Sequence, residues 1–111
     1  MKDRDLRVSQ LIRDELAKLL IKEFEFPGAV ITVTEVDVDK KLETAKVHIS
    51  ILPSEKAAKA LVALRKGQGY FQHLLLKKIN MKPMPRIRFE LDRGPENAAW
   101  VEKLLLEEDN D

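Results

Sequence analysis

The chain has no cysteine, two histidines and one tryptophan in 111 residues. Without thiols there can be no disulfide framework and no thiolate nucleophile or ligand, a composition compatible with a reducing cytosol. His48 and His73 are 25 positions apart, with no carboxylate pair at metal-ligand spacing. Both are therefore read as surface or boundary residues. Neither Ser9 nor Ser54 has the glycine context of a nucleophile elbow, and no Walker-type loop is present. Long apolar runs are missing too: nothing approaches the roughly twenty residues of a membrane span. The N-terminus alternates charge through Lys2-Asp3-Arg4-Asp5, where a secretory signal needs an apolar stretch. A cytoplasmic, non-enzymatic protein without cofactor or metal is expected.

What the chain does have is charge, unevenly placed. Residues 54 to 91 carry nine Lys/Arg against two Asp/Glu, a local +7 in a chain whose total is +1, whereas residues 92 to 111 carry two against seven, a local −5. Lys56, Lys59, Arg65, Lys66, Lys77, Lys78, Lys82, Arg86 and Arg88 supply the positive charge. Such a concentration gives affinity for a phosphate backbone, and the Gly67-Gln68-Gly69 step within it leaves room for close main-chain approach. Nucleic-acid binding is the first expectation.

The length fits one domain, here residues 1 to 106, followed by an acidic tail at 107 to 111. Helical spacing of Val8, Leu11, Ile12, Leu16, Leu19 and Leu20 predicts a first helix from Leu6 to about Phe24, capped by Asp5. Pro27-Gly28 ends it. Two β-branched segments, Val30 to Val38 and Thr44 to Leu52, predict a hairpin turning at Asp39-Lys40-Lys41. In the second segment Ala45, Val47, Ile49 and Ile51 alternate with Lys46, His48 and Ser50, the pattern of a sheet with one covered face.

A helix capped by Ser54 is predicted through about Lys66, then an interruption at Gly67-Gln68-Gly69. Another follows from Tyr70 to about Ile79, with Tyr70, Phe71, Leu74, Leu75 and Ile79 inward and His73, Lys77 and Asn80 outward. Pro83 and Pro85 lead into a third strand, Arg86 to Asp92, and Gly94-Pro95 into a short helix bearing Trp100, Val101, Leu104 and Leu105. The glycine step has two readings. It can be a plain boundary between helices, or, with cations before it and a helix N-terminus after it, a point of anion contact. On the second reading the candidate RNA-binding residues are Arg65, Lys66, Gly67, Gln68, Gly69, His73, Lys77, Lys78, Lys82, Arg86 and Arg88. Gly69 would then be needed either for a positive φ or for close approach of RNA.

The element order, an α+β arrangement α-β-β-α-kink-α-β with a three-stranded sheet covered by helices on one face, resembles a type II KH domain. The residues resemble one family, ribosome-binding factor A, over nearly the whole chain. The likeness rests on Arg7-Val8, Ile12 and Glu15-Leu16; Thr32-Val33-Thr34 and Val36; Leu42 with Ala45-Lys46-Val47-His48-Ile49-Ser50; Gly69-Tyr70, Leu74-Leu75, Lys82, Pro85, Phe89 and Asp92. It implies a monomeric, cytoplasmic assembly factor that binds the free small (30S) ribosomal subunit and its 16S rRNA late in maturation, promotes rRNA processing and has no enzymatic activity. The alternative is a KH-like module acting on another RNA. The family's Ala-x-Gly kink falls on Gly67-Gln68-Gly69, so a glycine replaces the alanine. Phe26 before Pro27 and Lys41 before Leu42 also depart from the family, which often has Asp at each place. A long C-terminal extension found in some members has no counterpart here.

Overall fold

The computed structural model describes residues 2–92. The expected helix of Pro95 to Leu105 and the acidic tail lie outside the described residues. In order, the elements are α1 (Lys2–Glu23), β1 (Val30–Val38), β2 (Thr44–Leu52), a 3₁₀ turn (Ser54–Lys56), α2 (Ala57–Lys66), α3 (Gln68–Lys78) and β3 (Arg86–Leu91). Both strands of the hairpin have the bounds the β-branched runs predict. Several other element ends differ. Asp5 lies inside α1, where its carboxylate accepts only the neighbouring Leu6 amide at 3.1 Å, so it is no cap. Ser54 makes no capping bond either, because the chain enters α2 through the 3₁₀ turn. Lastly, α3 ends at Lys78 and β3 at Leu91.

The sheet order is β1-β2-β3, with β1 antiparallel and β3 parallel to the central β2. That parallel neighbour requires a crossover, which α2 and α3 provide. One face of the sheet is apolar: Ala45, Val47, Ile49 and Ile51 of β2 and Ile87, Phe89 and Leu91 of β3 are all buried. Against it pack Ile12, Leu16, Leu19 and Leu20 of α1, Leu61 and Leu64 of α2, and Phe71 and Leu75 of α3. The apolar phase of β1 changes partway, since Val33 is followed by Val36 and Val38 as the next buried residues. A β-bulge absorbs the change: pairing jumps from Val33↔Ile49 to Glu35↔His48, and the extra Thr34 donates its hydroxyl to the His48 carbonyl at 3.1 Å. Without that extra residue Glu35 and Asp37 would face the core.

The hairpin turn is held by Asp39, whose carboxylate accepts the amides of Glu43 at 2.7 Å and Thr44 at 3.3 Å. Leu42 sits there with φ of 58°. After α1, Gly28 takes φ of 80°, and the Lys56 ammonium lies over it, donating to the Pro27 carbonyl at 3.1 Å. Lys56 is thus committed to tying the α1–β1 loop to the start of α2.

Candidate nucleic-acid interface

The break between α2 and α3 is a change of helix direction without unusual backbone. The Gly67 amide donates to both Ala63 and Leu64 carbonyls, at 3.1 and 3.0 Å, and the Gly67 carbonyl accepts Phe71 at 3.1 Å. Gly67 has φ −89° and ψ 6°, a conformation open to other residues. Aromatic packing fixes the angle of α3: the Phe71 ring lies 6.0 Å from that of Phe89 on β3 and 6.2 Å from that of Phe24 beyond α1. Gly69 has no positive φ, and a methyl group there would meet nothing within 4 Å. The first of the two reasons for Gly69 is therefore removed, and open space for a ligand is the one that stands.

Spacing of four places Gly69, His73 and Lys77 along one line of α3, and all three are exposed. Arg65 and Lys66 end α2 just before the break, and the last turns of both helices are basic. Arg65 is partly occupied, since its Nε donates to the Phe89 carbonyl at 3.1 Å. Lys78 lies to one side of the exposed line, and Lys82 follows in the loop. Among the described residues no carboxylate lies within 4 Å of any of these cations, so their charge is available to a phosphate.

Arg86 and Arg88 stand elsewhere. They alternate with the buried Ile87 and Phe89, so they project from the sheet face turned away from α3. There Arg88 aligns with Lys46 and Asp37, and the next row is Glu35, His48 and Glu90. That face has charges of both signs, whereas on the helix side the exposed line of Gly69, His73 and Lys77 carries no carboxylate of its own. The candidate residues thus divide between two surfaces.

Tyr70, expected inward, is 52% exposed, and its hydroxyl donates to the Glu23 carboxylate at 2.7 Å. That bond, above all, holds the phenol above its usual pKa of 10.0, with desolvation and the nearby negative charge acting the same way. Gln72, which belongs to no motif in the sequence, pairs with the β3 edge. Its amide donates to the Pro85 carbonyl at 2.9 Å and its carbonyl accepts the Ile87 amide at 2.8 Å. The one available signal is a polar residue beside the apolar stripe of α3, next to buried Phe71.

A three-stranded mixed sheet with helices on one face and a glycine-marked break between the last two defines an α+β domain. The chain belongs to the ribosome-binding factor A family, whose profile matches residues 4–105. It is 33% identical over 110 residues to ribosome-binding factor A of Caldanaerobacter subterraneus subsp. tengcongensis, covering 96% of this chain and 90% of that protein. The fold is similar to the crystal structure of ribosome-binding factor A from Thermus thermophilus, with a TM-score of 0.67 and 23% identity over 78% of this chain and 94% of that one. It is also similar to a homology model of the Thermus thermophilus protein fitted into a cryo-EM map of its 30S complex, with a TM-score of 0.65 and 24% identity over 74% of this chain and 88% of that one.

Proposed function

We propose that this protein binds the free small ribosomal subunit and its 16S rRNA and promotes late maturation of that rRNA, acting by binding rather than by catalysis, in the cytoplasm. Family membership supplies the partner, and the relative from Thermus thermophilus has been fitted into a 30S complex. The observation in this chain that carries the reading is the exposed line of Gly69, His73 and Lys77, with Lys66 at its head and open space over Gly69. Lysines there neutralise phosphates, and the bare glycine lets the rRNA backbone reach the first amides of α3. Among the described residues no helix is long and apolar enough to cross a membrane.

Co-sedimentation with separated ribosomal particles over a salt series tests this. The protein should travel with free small subunits, and neutralisation of about four to six phosphates should give a log-log salt slope of roughly −3 to −5. Because Lys77 and Arg88 occupy opposite faces, Lys77→Glu and Arg88→Glu are measured separately. Loss confined to Lys77→Glu assigns the helix side, and loss confined to Arg88→Glu assigns the sheet face instead. A slope near zero, or sedimentation with other RNA only, would overturn the proposal.

A further inference from the structure

The two edges of this sheet are finished differently. Along β3, Gln72 and Arg65 take up the Pro85 carbonyl, the Ile87 amide and the Phe89 carbonyl, so side chains already occupy much of that edge. Along β1, among the described residues, one group reaches the edge: Ser9 of α1 accepts the Val38 amide at 3.3 Å. The Asp39 amide donates the other way, to the Thr44 carbonyl of β2. Backbone groups alternate along a strand, so the main chain of Val36 points outward as that of Val38 does. From Val36 back to Val30 no described group bonds the outer edge.

Charge indicates what can sit there. From Val30 to Asp39 the strand and its exit contain Glu35, Asp37 and Asp39 and no Lys or Arg. Glu35 and Asp37 lie on β1 itself, and both are exposed. This acidic edge is the one remote from β3 and the basic helix ends, so a phosphate backbone is repelled from it. A second copy of β1 brings no cation to this edge, since the strand carries Glu35 and Asp37 and no Lys or Arg. An extended polypeptide rich in lysine or arginine meets both the hydrogen-bonding and the charge requirement.

We propose that the β1 edge accepts an extended basic peptide as a fourth strand, its main chain pairing along Val30 to Val36 and its cations facing Glu35 and Asp37. This site is separate from the RNA-binding side and does not depend on that reading.

The test uses the full chain and a fluorescein-labelled nonapeptide of alternating lysine and threonine, followed by anisotropy. Saturable binding is expected. A peptide of equal charge with proline at every second position lacks the amides that would pair, and should bind at least tenfold more weakly. Glu35→Lys with Asp37→Lys should weaken the alternating peptide at least tenfold, whereas Lys66→Glu with Lys77→Glu should change it less than twofold. On binding, exchange of the Val36 amide should slow at least tenfold, while that of Asp37, turned toward β2, stays as it was. Equal affinity for the two peptides, an unchanged Val36 exchange rate, or no binding by the parent would each refute strand addition.

Discussion

Replacing Gln72 by methionine isolates the contribution of one side chain to the covered sheet edge. Methionine keeps the length and the helix propensity of glutamine, so the change is confined to two hydrogen bonds. These are the 2.9 Å bond to the Pro85 carbonyl and the 2.8 Å bond from the Ile87 amide, both partly buried. Each bond is worth about 1 kcal/mol net, and leaving its main-chain partner buried and unpaired raises the cost to about 1 to 3 kcal/mol. Because both partners belong to one edge and water can reach part of it, a combined loss of about 2 to 3 kcal/mol is expected. With a urea slope of about 1 to 2 kcal/mol/M, the unfolding midpoint should fall by roughly 1 to 3 M. Gln72→Glu gives an internal comparison: it keeps an acceptor for Ile87 but places a carboxylate against the Pro85 carbonyl, so it should also destabilise. Equilibrium urea unfolding followed by far-UV circular dichroism measures both. A loss below about 0.5 kcal/mol for Gln72→Met would show that water satisfies these groups equally well, and that the edge is not closed by Gln72.

Gly28→Ala should cost about 1 to 2 kcal/mol in urea unfolding, because φ of 80° strains any side chain. Lys56→Met in the same chain should not recover it, although the new methyl group would meet the Lys56 ammonium. At the kink, Gly67→Ala should leave stability equal or up to about 1 kcal/mol higher, since its methyl group meets Phe71 at an ordinary 3.4 Å. Gly69→Val should likewise fold as well as the parent yet weaken small-subunit binding in co-sedimentation, and undiminished binding would mean that the rRNA does not approach that glycine. For Tyr70, absorbance at 295 nm during alkaline titration should show ionisation above the ordinary 10.0, with Glu23→Gln moving it back down. A raised pKa means the folded state favours the neutral phenol, so this bond supports folding below pH 10.0 and its contribution fades as pH climbs through the raised value.

Element order, the bounds of β1 and β2 and, Tyr70 apart, the choice of which faces are buried were legible in the sequence because they depend on local periodicity. Alternation in Ala45 to Ile51 and helical spacing in Val8 to Leu20 each express a preference that the sheet and α1 satisfy. Helix starts were less legible. Asp5 and Ser54 are good capping residues, but residues 2 to 4 continue the helix in one case and a 3₁₀ turn intervenes in the other. The bulge at Thr34 was not foreseen, although the apolar alternation of β1 breaks there.

What composition determined by itself was the excess of cations between residues 54 and 91 and the want of thiols and paired ligands. Only the tertiary structure decided how those cations are distributed. Burial of Ile87 and Phe89 turns Arg86 and Arg88 to the far side of the sheet from His73 and Lys77, and Lys56 and Arg65 are drawn onto main-chain carbonyls. The parallel placing of β3 beside β2, which leaves the acidic β1 as the open edge, is equally invisible to local pattern. Charge is a property of a residue wherever it lies, but the face it reaches is set by contacts between segments distant in sequence, and those exist only once the chain has folded.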